Sequence, residues 1–506
     1  LGARRVVKPD RVHGRDNEWT TLEAFVQHPD AHLRLGVVSG RRRVGKSYLL
    51  RALSREEDGL YVTAVAEEAA PAARRRFALD IARYAGVGID LIGEDAGWEA
   101  LLTTAIDLVT RRRGPGGVLV IDEFPYWMAH TPELPGLIQL LYDRSRAGEG
   151  AVGGRVILCG SAISVMHELL SGTKALRGRA VIDLRLEPFD LPTSAQHWAV
   201  ADPATALRLH AVLGGSPGYR DLAPSVPQSV EHFATWVTET VLNPGQALYS
   251  RSETEYLLRE DPKFTGSALH YGILSAVAAG ATSPAKIGAA LERDRTALDR
   301  PIDALVTAGY LRHESDPLWQ RRPVITIADP IVRFHNLITV GQYDLVETGR
   351  AAQAWRSADA TFASGILGPH FEDCARTWLR TRADDTVRGD ATTVAATVVN
   401  DSEGRARHEI DVVALRKRAG RAEIALVGEA KATLAARGAT DLDRLDRLKG
   451  LLARRGHDVS AARLAIFSMQ GFLRDAVDVA QRRGDVLLVD LPTLLGQAEP
   501  VVAPRV

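Results

Sequence analysis

Cysteine is nearly absent: Cys159 and Cys374 are the only two in 506 residues. They lie far apart, without the spacing of a disulfide framework or of a zinc ribbon, so both are expected as core residues of a protein held in a reducing compartment. An excess of either charge is also missing, since Lys plus Arg and Asp plus Glu both number 63. No global basic field announces nucleic acid, and any such surface must be a local patch. Apolar runs of about eighteen residues, the length that crosses a bilayer, are absent. No apolar segment behind basic residues opens the chain, so a cytoplasmic protein without a membrane partner is expected.

What is present is the composition of a soluble globular chain, with 45% hydrophobic and 25% charged residues. Dividing the length by about 150 residues suggests three or four domains. Near the start, Gly40-Arg41-Arg42-Arg43-Val44-Gly45-Lys46-Ser47 fits the pattern G-x-x-x-x-G-K-[ST]. It follows the apolar run Leu33 to Val38, read as a buried strand, and Ser47 to Leu53 continues with helical character. Glycines let backbone N–H groups close around phosphate oxygens, Lys46 sets a point charge on the β/γ-phosphates, and the Ser47 hydroxyl ligates Mg²⁺. Gly40, Arg43, Val44, Gly45, Lys46, Ser47 and Tyr48 are therefore the expected contacts with ATP.

A second apolar strand, Gly117 to Ile121, ends in Asp122-Glu123. Strands buried on both faces of a parallel sheet are continuously apolar, and ligands gather at their carboxyl ends. Asp122 would hold Mg²⁺ through water and Glu123 would polarise the attacking water. Further strands are expected over Leu60 to Val65, Arg155 to Cys159 and Val181 to Leu186, with helices between them, which argues for a parallel α/β sheet. Ser161, just beyond one strand, is placed to sense the phosphates or to cap a helix. The basic loop Ser171 to Arg179 offers Arg177 and, preferred, Arg179 as an arginine finger reaching a neighbouring subunit; a solvated loop is the alternative.

Residues 264 to 335 read as three short helices, Ala268 to Ala279, Ser283 to Leu291 and Thr296 to Ala308, followed by a strand from Gly309-Tyr310-Leu311. That is a winged helix-turn-helix, with Arg293, Arg295 and Arg300 beside the recognition helix. Such modules bind DNA or dock on protein. Farther on, Glu372 opens an amphipathic helix, Phe371 to Leu379, and two strands follow, Glu409 to Leu415 and Ile424 to Lys431. They spell E…D…E-x-K. Period-two geometry turns Glu429 and Lys431 to one side, where Asp411 can join them. Glu372, Asp411 and Glu429 then suit Mg²⁺, and Lys431 can orient water for attack on a phosphodiester.

The C-terminal constellation resembles the PD-(D/E)XK restriction-endonuclease-like core, although Ile410 stands where the motif has proline. The segment Gly14-Arg15-Asp16-Asn17-Glu18 resembles the GREXEL box of AAA+-related ATPases, which implies that Gly14 and Arg15 lie beside the adenine. Leu213-Gly214-Gly215-Ser216-Pro217 is similar to the Gly-x-Pro motif of STAND-type and archaeal-type ATPases, implying that Pro217 also nears the adenine. In order, the motifs resemble the archaeal-type P-loop ATPase family, in which a AAA+/STAND-like ATPase precedes a winged helix and an endonuclease-like domain. The implied division is 1–200 ATPase core, 201–260 helical lid, 261–340 winged helix-turn-helix, 341–365 junction and 366–506 endonuclease-like domain. The implied activity is Mg²⁺-dependent ATP hydrolysis acting on DNA, with nuclease action, a protein partner and a homo-oligomer as further expectations.

Overall fold

A computed structural model describes residues 7–149, 153–259, 264, 268–319, 323–401, 404–418 and 421–502. The chain groups into two compact units: residues 1–188 with 257–266, and residues 189–256 with 267–506.

The first unit is built on five strands: β1 Arg34–Ser39, β2 Leu60–Thr63, β3 Val118–Asp122, β4 Arg155–Gly160 and β5 Ala180–Arg185. Their order is β2-β3-β4-β1-β5, and every neighbouring pair is parallel. The sequence dictates two covered faces, because β3 and β4 are buried at every residue. Alternate side chains then serve opposite cores. Leu119, Ile121, Val156 and Leu158 pack with Phe77, Trp98 and Trp127 on one face. Val118, Val120, Ile157 and Cys159 pack with Trp19, Phe25 and Leu53 on the other. Cys159 is thus the core residue the sequence suggests. Since β4 lies between β1 and β3, the loops after all three strands emerge on one edge of the sheet.

The second unit starts with helices Leu191–Trp198, Pro203–Leu213 and Val230–Glu239. Helix Pro203–Leu213 ends sharply at Gly214 and Gly215: Gly214 adopts φ +65°, and a Cβ on Gly215 would lie 1.8 Å from the Phe189 carbonyl oxygen. That close packing places Phe189 with the second unit, which begins there. Helices Ala268–Ala278, Pro284–Leu291 and Asp299–Thr307 follow, with an antiparallel hairpin of β6 Leu311–Glu314 and β7 Val324–Ile327. Within residues 341–365, Trp355 and Phe362, 5.1 Å apart between rings, pack with Phe233. The C-terminal part places helix Gly368–Thr381 before strands β8 Thr393–Asp401, β9 Ala406–Arg418 and β10 Arg421–Lys431, with β9 antiparallel to both its neighbours. After helix Ala439–Arg454, β11 Arg463–Ser468 and β12 Val486–Asp490 add in parallel, and β13 Val501–Val502 closes the edge. The result is a six-stranded mixed sheet. The ends of the implied domains at 261 and 503–506 lie outside the described residues.

Candidate functional site

The loop between β1 and helix Lys46–Glu56 turns through three residues of positive φ: Gly40 at +152°, Arg43 at +67° and Gly45 at +93°. A Cβ on Gly40 would meet the Leu186 carbonyl oxygen at 2.6 Å, so the loop can pass there only as glycine. The helix begins with no side-chain cap, which leaves its leading N–H groups facing the loop. Lys46 is buried and its Nζ donates to the Arg41 carbonyl at 3.0 Å. Ser47 is half-buried beside it, whereas Tyr48 is exposed and donates through its hydroxyl to the Arg11 carbonyl.

Arg15 stands directly behind the phosphate loop. Its buried guanidinium donates to the Val44 carbonyl at 2.8 Å, the Glu187 carbonyl at 2.9 Å and the Glu18 carboxylate at 2.9 Å. Burial lowers its pKa and the Glu18 charge works against that shift. Arg15 therefore braces the phosphate loop from behind.

Asp122 ends β3 and is 1% exposed. Its Oδ1 accepts from the Glu123 backbone N–H at 3.0 Å, and its Oδ2 accepts from the Tyr61 hydroxyl. Burial, then the Asp122 charge, raises the pKa of the Tyr61 phenol, so it remains a donor. Glu123 adopts φ +54°, which turns its carboxylate toward the end of β4. There Ser161 grips both oxygens, with Oγ at 2.6 and 2.8 Å and the backbone N–H at 3.2 Å. Cys159, buried in β4, feels Asp122, Lys46 and Glu123 together; burial and then Asp122 push its thiol pKa up. The ammonium of Lys46 and the acidic pair thus share one edge of the sheet. This donor set, a buried cation, a buried carboxylate and an uncapped helix start, fits a triphosphate with a divalent ion.

Arg179, the preferred finger, makes a two-pronged pair with Asp143 at 2.9 and 2.9 Å, and Arg177 donates to the Gly172 carbonyl at 2.6 Å. The Arg179 pair is partly exposed, and such pairs are worth only about 1 kcal/mol. Pro217 opens a short 3₁₀ turn, Pro217–Leu222, in the second unit, and its carbonyl contacts His197. Arg155 stands in the sequence only as the start of an expected strand. Fully buried at the foot of β4, it donates to the carbonyls of Phe25, His28, Asp30, His32 and Gly154.

In the second unit, Glu372, Asp411, Glu429 and Lys431 come together as their spacing suggests. Lys431 Nζ lies 2.7 Å from Glu429 Oε1 and 3.6 Å from Asp411 Oδ2. Asp411 Oδ2 also accepts from the Ala430 N–H at 2.9 Å, and Arg444 stands 3.1 Å from Glu429 Oε1. Glu429 Oε2 is buried without a hydrogen-bond partner, an acceptor with nothing to pair. Burial, reinforced by Asp411, raises the Glu372 pKa to about 7. Carboxylate donors and an orphaned oxygen fit a hard divalent cation. The Lys431 ammonium stands between Glu429 and Asp411. Among the described residues, the one group of three ligating side chains with atoms within 4.8 Å lies elsewhere.

A cleft of about 590 Å³ opens on Glu372 and Asp411 and is walled by the β6–β7 hairpin. Arg312 on β6 pairs with Glu314 at 2.6 Å and with Asp373. Arg376 pairs with the same Asp373 and donates to the Asp411 carbonyl at 2.8 Å. Although burial opposes its charge, Arg312 and Arg376 hold the Asp373 carboxyl well below the usual range. Asp316 accepts from the Thr397 hydroxyl at 2.7 Å, and Trp319 meets the His457 ring edge-on at 4.8 Å. The hairpin is fastened to the C-terminal domain. Arg293, Arg295 and Arg300, in contrast, are exposed.

No known family pattern and no curated sequence matches this chain. Among solved structures, it is similar to a Walker-type ATPase of Pyrococcus abyssi, with a TM-score of 0.50 and 19% identity over 66% of this chain and 98% of that one. The ORC2 protein of Aeropyrum pernix, in ADPNP–ADP complexes, matches at a TM-score of 0.44 and 16% identity over 70% of this chain and 99% of that one. Among the described residues no helix is long and apolar enough to cross a membrane. The chain is an α/β multidomain protein that joins the five-stranded parallel sheet of the P-loop ATPase fold, shared with the Pyrococcus abyssi protein, to a C-terminal mixed sheet.

Proposed function

We propose that the protein is a Mg²⁺-dependent ATPase whose nucleotide state governs a second unit acting on DNA. The observation that carries this is the grip of Ser161 on Glu123, beside buried Asp122 and Lys46, at the edge of the sheet where the phosphate loop emerges. Gly40, Gly45 and the first N–H groups of helix Lys46–Glu56 cradle phosphate oxygens. Lys46 exchanges the Arg41 carbonyl for the β/γ-phosphates. Ser47 and Asp122 would hold Mg²⁺, which would supply neutralisation of the phosphate charge. Glu123, aimed by Ser161, orients and polarises the attacking water, and Arg177 or Arg179 of a second copy neutralises the transition state. Arg43, Val44 and Tyr48 line the loop, and Arg15 keeps its backbone in place.

For the second unit we assign Glu372, Asp411 and Glu429 to a divalent cation, on the strength of the orphaned Glu429 oxygen and the cation-binding chemistry of the donors. Lys431 orients water against a phosphodiester. The order of helix Gly368–Thr381, three antiparallel strands, a helix and a parallel strand is in keeping with an endonuclease-like domain. The exposed Arg293, Arg295 and Arg300 supply cations for a DNA backbone.

Phosphate release is to be measured for the wild type and Lys46→Ala, with and without duplex and single-stranded DNA. Turnover indifferent to Lys46→Ala removes the nucleotide site. Plasmid nicking in Mg²⁺ or Mn²⁺, lost in both Asp411→Ala and Lys431→Ala, supports the nuclease. The docked wing favours a second reading, a regulatory switch whose winged helix and inactive C-terminal domain bind protein; ATP turnover without nicking under any nucleotide condition selects it.

A further inference from the structure

Helix Pro203–Leu213 and helix Gly368–Thr381 meet at a point that the proposed chemistry does not use. His210 comes from the first helix; His370 and Cys374, one turn apart on one face, come from the second. His210 Nδ1 and His370 Nε2 are 2.8 Å apart, and one ligating atom from each of the three residues falls within a 4.8 Å sphere of contacts. His370 and Cys374 are buried and His210 is half-buried.

The protonation pattern is fixed by what surrounds the rings. His210 Nε2 faces the Phe189 carbonyl at 3.1 Å, and a carbonyl oxygen can only accept. That nitrogen therefore carries the proton, and Nδ1 presents a lone pair to His370. An imidazole that gives one N–H to a backbone carbonyl while its other nitrogen points at a shared focus is the arrangement that orients histidine ligands in metal sites.

We propose that His210, His370 and Cys374 bind one divalent cation of the zinc class, stapling helix Pro203–Leu213 to helix Gly368–Thr381. Two imidazole nitrogens and a thiolate form a borderline-soft donor set that excludes Mg²⁺ and suits Zn²⁺ or Co²⁺. A tetrahedral ion about 2.0–2.1 Å from each nitrogen sets the nitrogens about 3.3 Å apart, so the pair must part by about half an ångström. The half-exposed side of His210 leaves water as the fourth ligand. On binding, two N–metal bonds and one S–metal bond form. The S–H bond of Cys374 breaks and its proton leaves to solvent, while the His370 proton moves to Nδ1, so one proton is released per ion. Cys374 is then a ligand, beyond the plain core residue its isolated place in the sequence suggests. The staple holds the helix that carries Glu372, yet it stands whether or not the second unit cleaves DNA.

The protein, purified without an affinity tag, is dialysed against chelator and titrated with Co²⁺. We expect a thiolate-to-cobalt charge-transfer band that saturates at one ion per chain, disappears when Zn²⁺ displaces the cobalt, and survives in Cys159→Ala. Cys374→Ser should abolish the band, and His210→Gln should weaken affinity at least tenfold. Zn²⁺ at 100 times its dissociation constant should raise the melting temperature of the wild type but not of Cys374→Ser. Absence of the band in the wild type overturns the proposal whatever the variants do. So does a band that persists in folded Cys374→Ser, since the sulfur would then come from Cys159.

Discussion

Replacing Ser161 by alanine separates two jobs that the same hydrogen bonds permit. The hydroxyl sits 2.6 and 2.8 Å from the Glu123 oxygens, and the backbone N–H, which survives the substitution, is farther at 3.2 Å. A hydrogen bond to a charged group is worth about 1.5–3 kcal/mol, so its loss lets the carboxylate swing away from the water it must polarise. If that energy appears in the transition state, kcat falls about 10- to 150-fold at about 1.4 kcal/mol per tenfold. KM for ATP should change little, because Ser161 binds Glu123 and not the loop that cradles phosphate. Steady-state phosphate release measures both constants, nucleotide affinity is checked separately by fluorescence, and Ser161→Thr, which keeps a hydroxyl, should recover most of the rate. An unchanged or raised kcat in Ser161→Ala refutes the reasoning: Ser161 would then be parking Glu123 away from its work.

The buried Arg155 should matter to stability without touching nucleotide. Arg155→Met strips partners from the carbonyls of Phe25, His28, Asp30 and His32, at about 1–3 kcal/mol for each left buried and unpaired. With partial rehydration we expect about 3–5 kcal/mol, read as a lower first unfolding transition; a shift within error rejects the brace. Divalent affinity at the second site should follow the Glu372 carboxyl, whose pKa is about 7. Mn²⁺ takes the ionised form, so calorimetry should find affinity falling about tenfold per pH unit below 7 and flat above, with the slope removed in Glu372→Gln. The same carboxyl keeps its proton longer folded than unfolded, so its contribution to stability declines from pH 4.5 to about 7 and is constant beyond. A metal affinity independent of pH over that window excludes Glu372 from the site.

The nucleotide edge of the sheet was legible because its signals are local. The loop pattern, two apolar strands and the acidic pair each lie within a few residues, and burial on both sheet faces leaves strands with no polar alternation to confuse them. The E-x-K spacing was legible for the same reason: Glu429 and Lys431 share a face by strand geometry alone, and the antiparallel register of β9 and β10 brings Asp411 alongside. What escaped depends on chain crossings. Arg155 serves carbonyls 123 to 130 residues earlier in the chain, Phe25, His28, Asp30 and His32, and nothing near residue 155 hints at them. Tyr61 meets Asp122 only because β2 lies beside β3. The hold of the Arg15 guanidinium on the Val44 and Glu187 carbonyls likewise joins segments 29 and 172 residues apart.

The docked hairpin bears on how a DNA-binding second unit would work. A wing that grips a DNA backbone needs free cations, but Arg312 is held between Glu314 and Asp373, and Asp316 and Trp319 are fastened to the C-terminal domain. Any duplex would meet the exposed Arg293, Arg295 and Arg300 at the helical face instead. The wing is then placed to transmit rather than to bind. From Arg312 the contacts run through Asp373 to Arg376, and from Arg376 to the carbonyl of Asp411. Each link is a charge-assisted bond, partly or wholly shielded from water, where such bonds keep most of their strength. Tilting the helices against DNA would therefore pull on the strand that carries Asp411, about whose carboxylate Lys431 and the raised Glu372 are arranged. On the proposed DNA role, a wing committed to its neighbour couples the two modules of this unit through the half-buried Asp373, and Asp373→Asn, which keeps the shape and removes the charge, is the substitution that cuts the link.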